Sequence, residues 1–391
     1  MAKNIAIFTT TYLPTQGGIQ YLMYWFLKEI DKNYKYYKER FKFDNFYFIA
    51  PNLSNNESAS FSNIKTIEIT NTKSKLNKIK CIGQIIKIVI KYDIHLIHTQ
   101  NAYFESLCCN IAKKFTKIKY IITSHGEDLA YIKEFNYGSD NSTNFKRIVQ
   151  NNIKNSEYIT TISTDMCQYA RELTVDEKVV FIPNPSPFKE KLFQDDLIKQ
   201  EINILKERYN IDDKNIICLT LSGAREIKGH DNMILAFKKA YKENNTLRLF
   251  ITAHGGRLET LKALVKKHHL DHVIYFTGFI TGITKEAFFR LSNIYVNTAY
   301  FEPFGLVYLE SIEHALVNLG SIKGGGKDIF THLENAYLVD PYAISEIEKG
   351  FIYLTNVANR NNLINSSRKI LDNYKIEKIM EEYFKIYSKV I

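Results

Sequence analysis

The chain has 391 residues, of which 45% are hydrophobic and 24% are charged, and its formal net charge is +10. This composition is ordinary for a globular protein, and the length suggests about two or three domains at roughly 100–200 residues each. The basic excess comes without a zinc-finger or RNA-recognition signature, which argues against a nucleic-acid ligand.

The start of the chain does not resemble a secretory signal. The segment from Met1 to Thr10 has one lysine and a short apolar run, but no small-residue cleavage site. No stretch reaches the ~18 apolar residues that are needed to span a bilayer. The five cysteines lack metal-ligand spacing and are interpreted as buried free thiols. We therefore expect a cytoplasmic protein.

The first half of the chain alternates apolar runs with helical patterns. A strand over 4–9 is followed by a loop and by a helix from about Ile19. Further strands are predicted at 46–50, 94–98, 120–123, 158–162 and 179–183. Strands that alternate with helices predict a parallel sheet covered by helices on both faces.

A proline-containing segment, 183–187, separates this half from a second series of strands and helices. The strands of the second series are predicted at 216–222, 247–252, 273–277, 294–298, 320–322 and 336–339. The fold class is therefore α/β, with two Rossmann-like domains that face each other across a cleft. Ligands of such sheets bind beyond the carboxyl ends of the strands.

The predicted domain boundaries follow from this segment. We predict an N-terminal Rossmann-like domain over 1–187 and a C-terminal one over 188–375. A final helix over 376–391 is expected to return towards the N-terminal domain.

The strongest motif, at 297–310, follows a predicted strand. Glu302 would lie in the loop after the strand, and Glu310 about two turns into a helix that begins near residue 304. The first residues of this helix would offer backbone N–H groups to an anion such as phosphate. These residues are Phe304, Gly305 and Leu306. The alternative is that Glu302 caps the helix and Glu310 is solvated.

A second motif, at 221–231, contains Arg225 and Lys228 after another strand. The two cations are close enough in sequence to converge on one diphosphate, which Arg grips in a bidentate manner and Lys binds as a point charge. The alternative is an exposed, charged turn.

Two weaker motifs follow strands of the first half. Gly17 and Gly18 would let the backbone approach a ligand closely, unless they form an ordinary turn. His125 could bond a sugar hydroxyl or steady developing charge, unless it is a structural histidine. No acidic triplet for a divalent metal is convincing, and no GxSxG, HExxH or P-loop occurs.

In their order along the chain, these motifs resemble those of the GT-B glycosyltransferases, and within them the retaining family 4 type. The ordered set also includes an Ile-Pro-Asn at 182–184, a Phe-x-Gly at 276–278 and a triple glycine at 324–326. The resemblance covers nearly the whole chain.

The resemblance implies a role for each motif. Glu302 would contact hydroxyls of the donor sugar and Glu310 the nucleotide ribose, while Arg225 and Lys228 would stabilise the leaving diphosphate in place of a metal ion. The backbone near Phe304 would face the diphosphate. In the other domain, His125 would meet the donor sugar, and Gly17 and Gly18 would approach the diphosphate.

The implied activity is transfer of a sugar from a nucleotide-sugar donor to a glycan or lipid-linked acceptor, with retention and without a metal or other cofactor. It would serve surface polysaccharide or glycoconjugate biosynthesis. Two alternatives are a non-catalytic accessory subunit of the same shape and a sugar-nucleotide epimerase.

One segment suggests weak peripheral contact with the inner face of a membrane. An amphipathic helix is predicted over 77–92, with lysines at 80, 87 and 91. Its predicted apolar face consists of Ile79, Ile82, Ile86, Val89 and Ile90. The alternative is that this face covers the sheet and the lysines are solvated.

Overall fold

A computed structural model describes residues 3–14, 17–53, 56–138, 142–186 and 193–391. The chain divides into two compact units, one formed by Met1–Pro185 with Tyr374–Ile391 and the other by Ser186–Asn373. The predicted boundary between residues 187 and 188 lies outside the described residues, as does Pro187.

Up to Pro185, the described residues of the first unit form seven strands and six α-helices. In chain order they are β1 Asn4–Phe8, α1 Gly18–Lys32, α2 Tyr34–Phe41, β2 Asn45–Pro51, β3 Lys65–Ile69, α3 Lys75–Lys91, β4 Ile94–Thr99, α4 Phe104–Ala112, β5 Lys119–Ser124, α5 Thr143–Asn155, β6 Ile159–Thr161, α6 Thr164–Arg171 and β7 Val179–Phe181.

All described strand pairs of this sheet are parallel, and their order is β3-β2-β1-β4-β5-β6-β7. Ala6 of β1 pairs with Tyr47 on one side and with Ile97 on the other. β1 is buried along its whole length because helices cover both faces of the sheet, which explains its continuous apolar sequence. The order reverses between β1 and β4, and this switch point is where ligands of such sheets bind.

Helix α3 covers the sheet with only part of the predicted apolar face. Val89 is buried, and Ile82 and Ile86 pack against the core, together with the buried Cys81, Ile85 and Ile88. Ile79 and Ile90 were predicted to share this face, but they are 67% and 65% exposed. The prediction was wrong for these two residues, because the buried face is centred on Cys81, Ile85 and Ile88 and turns them towards solvent.

The second unit repeats the architecture of the first. Its elements are α7 Asp195–Arg208, β8 Ile216–Leu221, α8 His230–Glu243, β9 Leu247–Thr252, α9 Leu258–Lys267, β10 Ile274–Phe276, α10 Gly282–Leu291, β11 Ile294–Asn297, α11 Leu306–Glu313, β12 Val317–Ser321, α12 Gly326–Ile329, β13 Tyr337–Val339, α13 Ile344–Tyr353 and α14 Val357–Ser367. The parallel strands have the order β10-β9-β8-β11-β12-β13, which again reverses once, between β8 and β11.

The last helix, α15 Ile376–Val390, belongs to the first unit. Its Phe384 ring stacks on Tyr37, with 4.6 Å between centroids. Tyr387 reaches the sheet, where its hydroxyl lies 2.7 Å from Nδ1 of the buried His98. A helix distant in sequence therefore completes the core of the first unit.

Two Rossmann-type sheets confirm the predicted α/β fold class. The five cysteines are free and buried, as predicted. Among the described residues, no helix is both long and apolar enough to cross a bilayer.

Candidate active site

Three loops meet at the switch point of the second sheet, and the first contact joins the loops after β8 and β11. Gly229 has a φ of 66°, and a Cβ there would lie 2.1 Å from the carbonyl oxygen of Thr298. The backbone N–H of Tyr300 donates to the carbonyl of Ile227 at 2.8 Å. Only glycine permits this approach, which fixes the neighbouring Lys228 beside the end of β11.

The third loop, after β12, packs on the same segment. The N–H of Gly325 donates to the carbonyl of Glu302 at 2.8 Å. A Cβ at Gly324 would lie 2.0 Å from that carbonyl oxygen, and one at Gly325 would lie 2.5 Å from Cα of Phe304. The triple glycine thus holds the backbone around Glu302 in place.

This packing brings two predicted site residues into direct contact. Lys228 Nζ lies 2.8 Å from Glu302 Oε2, and only 12% and 16% of the two side chains are exposed. The Asn297 amide donates to the same carboxylate oxygen at 3.2 Å. With most of the surrounding water excluded, this cation and carboxylate interact more strongly than a surface pair would.

The helix after Glu302 begins later than predicted. Gly305, with a φ of 89°, precedes α11, so the helix starts at Leu306 rather than near residue 304. Glu310 is therefore just over one turn into the helix, and the predicted two turns were wrong. The backbone of residues 304–306 still leads into the helix N-terminus, where N–H groups and the helix dipole favour an anion.

Glu310 forms an ion pair of its own, and Arg225 precedes Lys228 in the same loop. Glu310 Oε1 is 2.5 Å from Nζ of Lys285, on α10. Arg225 precedes the short turn that carries Lys228, and its side chain is exposed. Of the predicted charged residues, the structure pairs Lys228 with Glu302 and gives Glu310 a different partner.

The first unit places its own predicted residues around a second switch point. His125 directly follows β5, and its Nε2 lies 3.1 Å from Oε1 of Gln100, which directly follows β4. Burial lowers the pKa of His125 to about 4, so its ring is neutral near pH 7. Gly18 is the first residue of α1, and Gly17 stands at its N-terminal cap, with φ of 173° in the extended region.

Sequence reasoning missed four residues that hold the predicted ones. They are Asn297 beside Glu302, Lys285 beside Glu310, Gln100 beside His125, and Glu105, whose carboxylate receives the backbone N–H of Gln100. Asn297 and Gln100 lie at or just beyond a strand's carboxyl end, and that position is the signal in the sequence that could have singled them out. Lys285 lies on α10 and Glu105 in the first turn of α4, and no such signal marks them.

Two protein-family models match this chain, one in each unit. Residues 45–186 match the family model described as Glycosyltransferase Family 4, and residues 201–370 match the one described as Glycosyl transferases group 1. N-acetyl-alpha-D-glucosaminyl L-malate synthase of Bacillus anthracis is 23% identical over 79% of this chain and 78% of its own.

Two further proteins are similar. Alpha-monoglucosyldiacylglycerol synthase of Streptococcus pneumoniae is 22% identical over 79% of this chain and 69% of its own. The crystal structure of Anabaena HepE in complex with UDP-glucose superposes with a TM-score of 0.74 at 14% identity, and the match covers all of both chains.

Two Rossmann-type units with this strand order define a GT-B fold. The matches to both family models, one in each unit, then place the chain among the glycosyltransferases of family 4 type.

Proposed function

We propose that this glycosyltransferase moves a hexosyl or N-acetylhexosaminyl group from a nucleoside-diphosphate sugar to a glycan or lipid-linked acceptor, with retention of anomeric configuration. The observation that carries the proposal is the shielded Lys228–Glu302 pair at the switch point of the second sheet. The pair provides a cation for a diphosphate and a carboxylate for sugar hydroxyls within one hydrogen-bond length of each other.

The reaction breaks the bond between the anomeric carbon and a diphosphate oxygen, the oxygen of the acceptor hydroxyl forms the new bond, and the hydroxyl proton passes to the departing diphosphate. Negative charge builds on the departing diphosphate, and groups that hold this charge lower the barrier. Lys228, with Arg225 and the N-terminus of α11, would stabilise the diphosphate. Lys228 would leave Glu302 for the phosphate, and Glu302 would then accept hydrogen bonds from the sugar.

The remaining predicted residues take the roles that the resemblance implies. Glu310 would hold the ribose hydroxyls. In the first unit, His125 would meet the sugar, and the backbone at Gly17 and Gly18 would approach the diphosphate. We propose that these groups act without a metal ion. Excess chelator should then leave the initial rate unchanged, and a rate that falls and returns with magnesium or manganese would contradict the proposal.

The similar proteins support the class of donor and acceptor. HepE is described in complex with UDP-glucose, one relative is named an N-acetylglucosaminyl-malate synthase, and another a glucosyldiacylglycerol synthase. A hexose or N-acetylhexosamine donor and a lipid acceptor are consistent with these names, one of which also contains the hydroxy acid malate. A place in surface glycoconjugate synthesis at the cytoplasmic side of a membrane is proposed on the same ground.

The outer face of α3 supports contact with that membrane. Leu76, Ile79 and Ile90 are 62%, 67% and 65% exposed, and Lys80, Lys87 and Lys91 are exposed around them. The helix contains five lysines and no acidic residue. Basic residues at an anionic leaflet contribute about 1 kcal/mol each, so an apolar face ringed by lysines fits an anionic lipid surface.

Vesicle sedimentation tests this contact. Anionic vesicles should pellet the protein at low salt, and neutral vesicles or high salt should not. The triple variant Lys80→Glu, Lys87→Glu, Lys91→Glu should abolish pelleting. A matched triple variant on α9 (Lys262, Lys266 and Lys267 to Glu) should not. Equal pelleting with both kinds of vesicle would rule out the electrostatic contact.

A panel of nucleotide sugars tests the activity itself. A donor at 100 times its dissociation constant should raise the free energy of unfolding by about 2.7 kcal/mol, which a thermal-shift measurement detects. The product formed from the stabilising donor should keep the donor's anomeric configuration. Binding without turnover would favour an accessory subunit, and a new sugar nucleotide without transfer would favour an epimerase.

A further inference from the structure

The side-chain amide of Gln100 is buried but only partly hydrogen-bonded within the described residues. The residue is 3% exposed, and its Oε1 lies 3.1 Å from Nε2 of His125. Its amide nitrogen is also buried but has no hydrogen-bond partner among the residues that the structure describes. Folded proteins rarely leave a buried donor unpaired, because the group has given up its bonds to water.

The backbone of Gln100 is held firmly in this place. Its N–H donates to Oε2 of Glu105 at 2.8 Å. The other oxygen of Glu105 accepts from the N–H and the hydroxyl of Thr10, at 2.6 and 2.9 Å. One buried carboxylate thus ties the loop after β1 to the loop after β4, on either side of the switch point. The unpaired amide group is therefore not the result of a loose loop.

The contact with Gln100 decides which nitrogen of His125 carries the proton. An amide oxygen can only accept a hydrogen bond, so Nε2 of the neutral ring must be the donor. The lone pair of the ring then lies on Nδ1. Among the described residues, no other group hydrogen-bonds Nε2, so loss of Gln100 would weaken the preference for this tautomer.

We propose that Gln100 is a positioning residue for His125 and that its amide nitrogen donates a hydrogen bond to a hydroxyl oxygen of the bound donor sugar or of the acceptor. The second half of this inference rests on the proposed glycosyl transfer, because that function provides the hydroxyl. The first half, the choice of tautomer, holds for the protein without substrate. A site that is built to bond a hydroxyl rejects an analogue lacking it, so Gln100 would also contribute to specificity.

Nuclear magnetic resonance of ¹⁵N-histidine-labelled protein tests the first half. In the wild type, the His125 ring should carry its proton on Nε2. Gln100→Met, which keeps the side-chain length but removes both polar atoms, should shift the tautomer balance towards Nδ1. Gln84→Met is the matched control, since Gln84 accepts one backbone hydrogen bond from Thr70, away from this edge. The control should leave the His125 signals unchanged.

Kinetics with deoxy-sugar analogues tests the second half. Wild-type enzyme should discriminate by roughly 10-fold or more against one deoxy analogue, and Gln100→Met should lose that discrimination while its rate with the full substrate falls roughly 10-fold. Discrimination that is visible in donor hydrolysis without acceptor would assign the hydroxyl to the donor sugar. Discrimination seen only during transfer would assign it to the acceptor.

The possible failures can be told apart. If Gln100→Met keeps the wild-type tautomer and turns over within twofold of wild type, both halves of the proposal are wrong, although the enzyme remains a glycosyltransferase. If no nucleotide sugar is turned over by the wild type, the proposed function fails and the hydroxyl contact with it, while the tautomer measurement still decides the positioning role. Should Gln100→Met fail to fold, Gln100→Asn keeps a polar amide but withdraws it from His125 by one methylene, and the same outcomes apply.

Discussion

The two switch points have the same strand order but opposite chemistry. In the second unit the edge is ionic, with Lys228 on Glu302 and Lys285 on Glu310. In the first unit it is less charged, with a neutral His125 and a partly ionised Glu105 near pH 7. Burial lowers the pKa of His125 to about 4 there, and it raises the pKa of Glu105 to about 7.

The difference shows that the fold determines where a site lies, whereas the side chains determine its chemistry. A diphosphate needs cations and free N–H groups, which the ionic edge supplies. Under the proposed function, the sugar hydroxyls would bond both to Glu302 at the ionic edge and to the fixed His125 and Gln100 of the first unit. Four measurements test this contrast between the two edges.

The largest effect is expected when Lys228 is removed from the ionic edge of the second unit. Lys228→Ala should lower kcat by about 100- to 1,000-fold, the range for removal of one group that stabilises developing negative charge. It should also weaken binding of free nucleoside diphosphate, measured by calorimetry. Lys239→Ala serves as a control, because that lysine forms a more exposed pair with Glu348 in the same unit. Unchanged nucleotide affinity would remove Lys228 from the phosphate site.

The carboxylate of the same pair should behave differently. Glu302→Gln should reduce turnover roughly 10- to 150-fold, since a charged hydrogen bond is worth about 1.5–3 kcal/mol. Free nucleoside diphosphate should bind nearly as before, because Glu302 is proposed to contact the sugar. Glu226→Gln, on an exposed carboxylate in the turn before Lys228, is the control. Turnover within twofold of wild type would contradict a role for Glu302.

The buried, uncharged His98 of the first unit predicts that the stability of the fold depends on pH. Burial, with a smaller effect of His125, lowers the pKa of His98 to about 3 from its ordinary 6.5. Below pH 6.5 the unfolded chain therefore binds a proton that the folded chain does not, and stability falls as the pH falls.

The substitution His98→Gln isolates the contribution of His98 to the pH dependence of the free energy of unfolding. On going from pH 7 to pH 5, wild type should lose about 2 kcal/mol more unfolding free energy than His98→Gln. Chemical denaturation at both pH values measures the difference, and groups common to both proteins cancel. Parallel losses in the two proteins would mean that His98 titrates normally in the folded unit.

The smallest effect is expected at the outer pair of the ionic edge. Lys285→Met leaves Glu310 without its salt bridge, but partly exposed pairs contribute only about 0–1 kcal/mol. Nucleotide affinity should therefore change by no more than about fivefold. A loss as large as that of Lys228→Ala would mean that Lys285 itself contacts the nucleotide.

Much of the fold followed from local patterns. The predicted strand at 46–50 lies within β2, and that at 247–252 coincides with β9, because both are continuous apolar runs between turn signals. β3 was not predicted, since its sequence Lys65–Ile69 alternates and most of its residues are not buried. Edge strands of this kind carry a weak apolar signal.

Individual residues of the candidate site could be predicted from the sequence, but the contacts between them could not. The sequence indicated Lys228, Glu302 and His125, because each follows a strand. It did not indicate that Asn297 holds Glu302 or that Gln100 holds His125, because such contacts depend on which strands are neighbours and in what register. Hydrophobic periodicity contains neither piece of information.

The membership of α15 in the first unit has a consequence for biosynthesis. All 188 residues of the second unit, Ser186–Asn373, leave the ribosome before this helix does. At about 5–20 residues per second, the first sheet waits about 10–40 s for the helix that covers it. During that interval, aromatic surface around Tyr37 is uncovered and Nδ1 of His98 lacks its partner Tyr387. The unit whose synthesis starts first is thus the last to mature, and it is the one that a nascent-chain chaperone would protect.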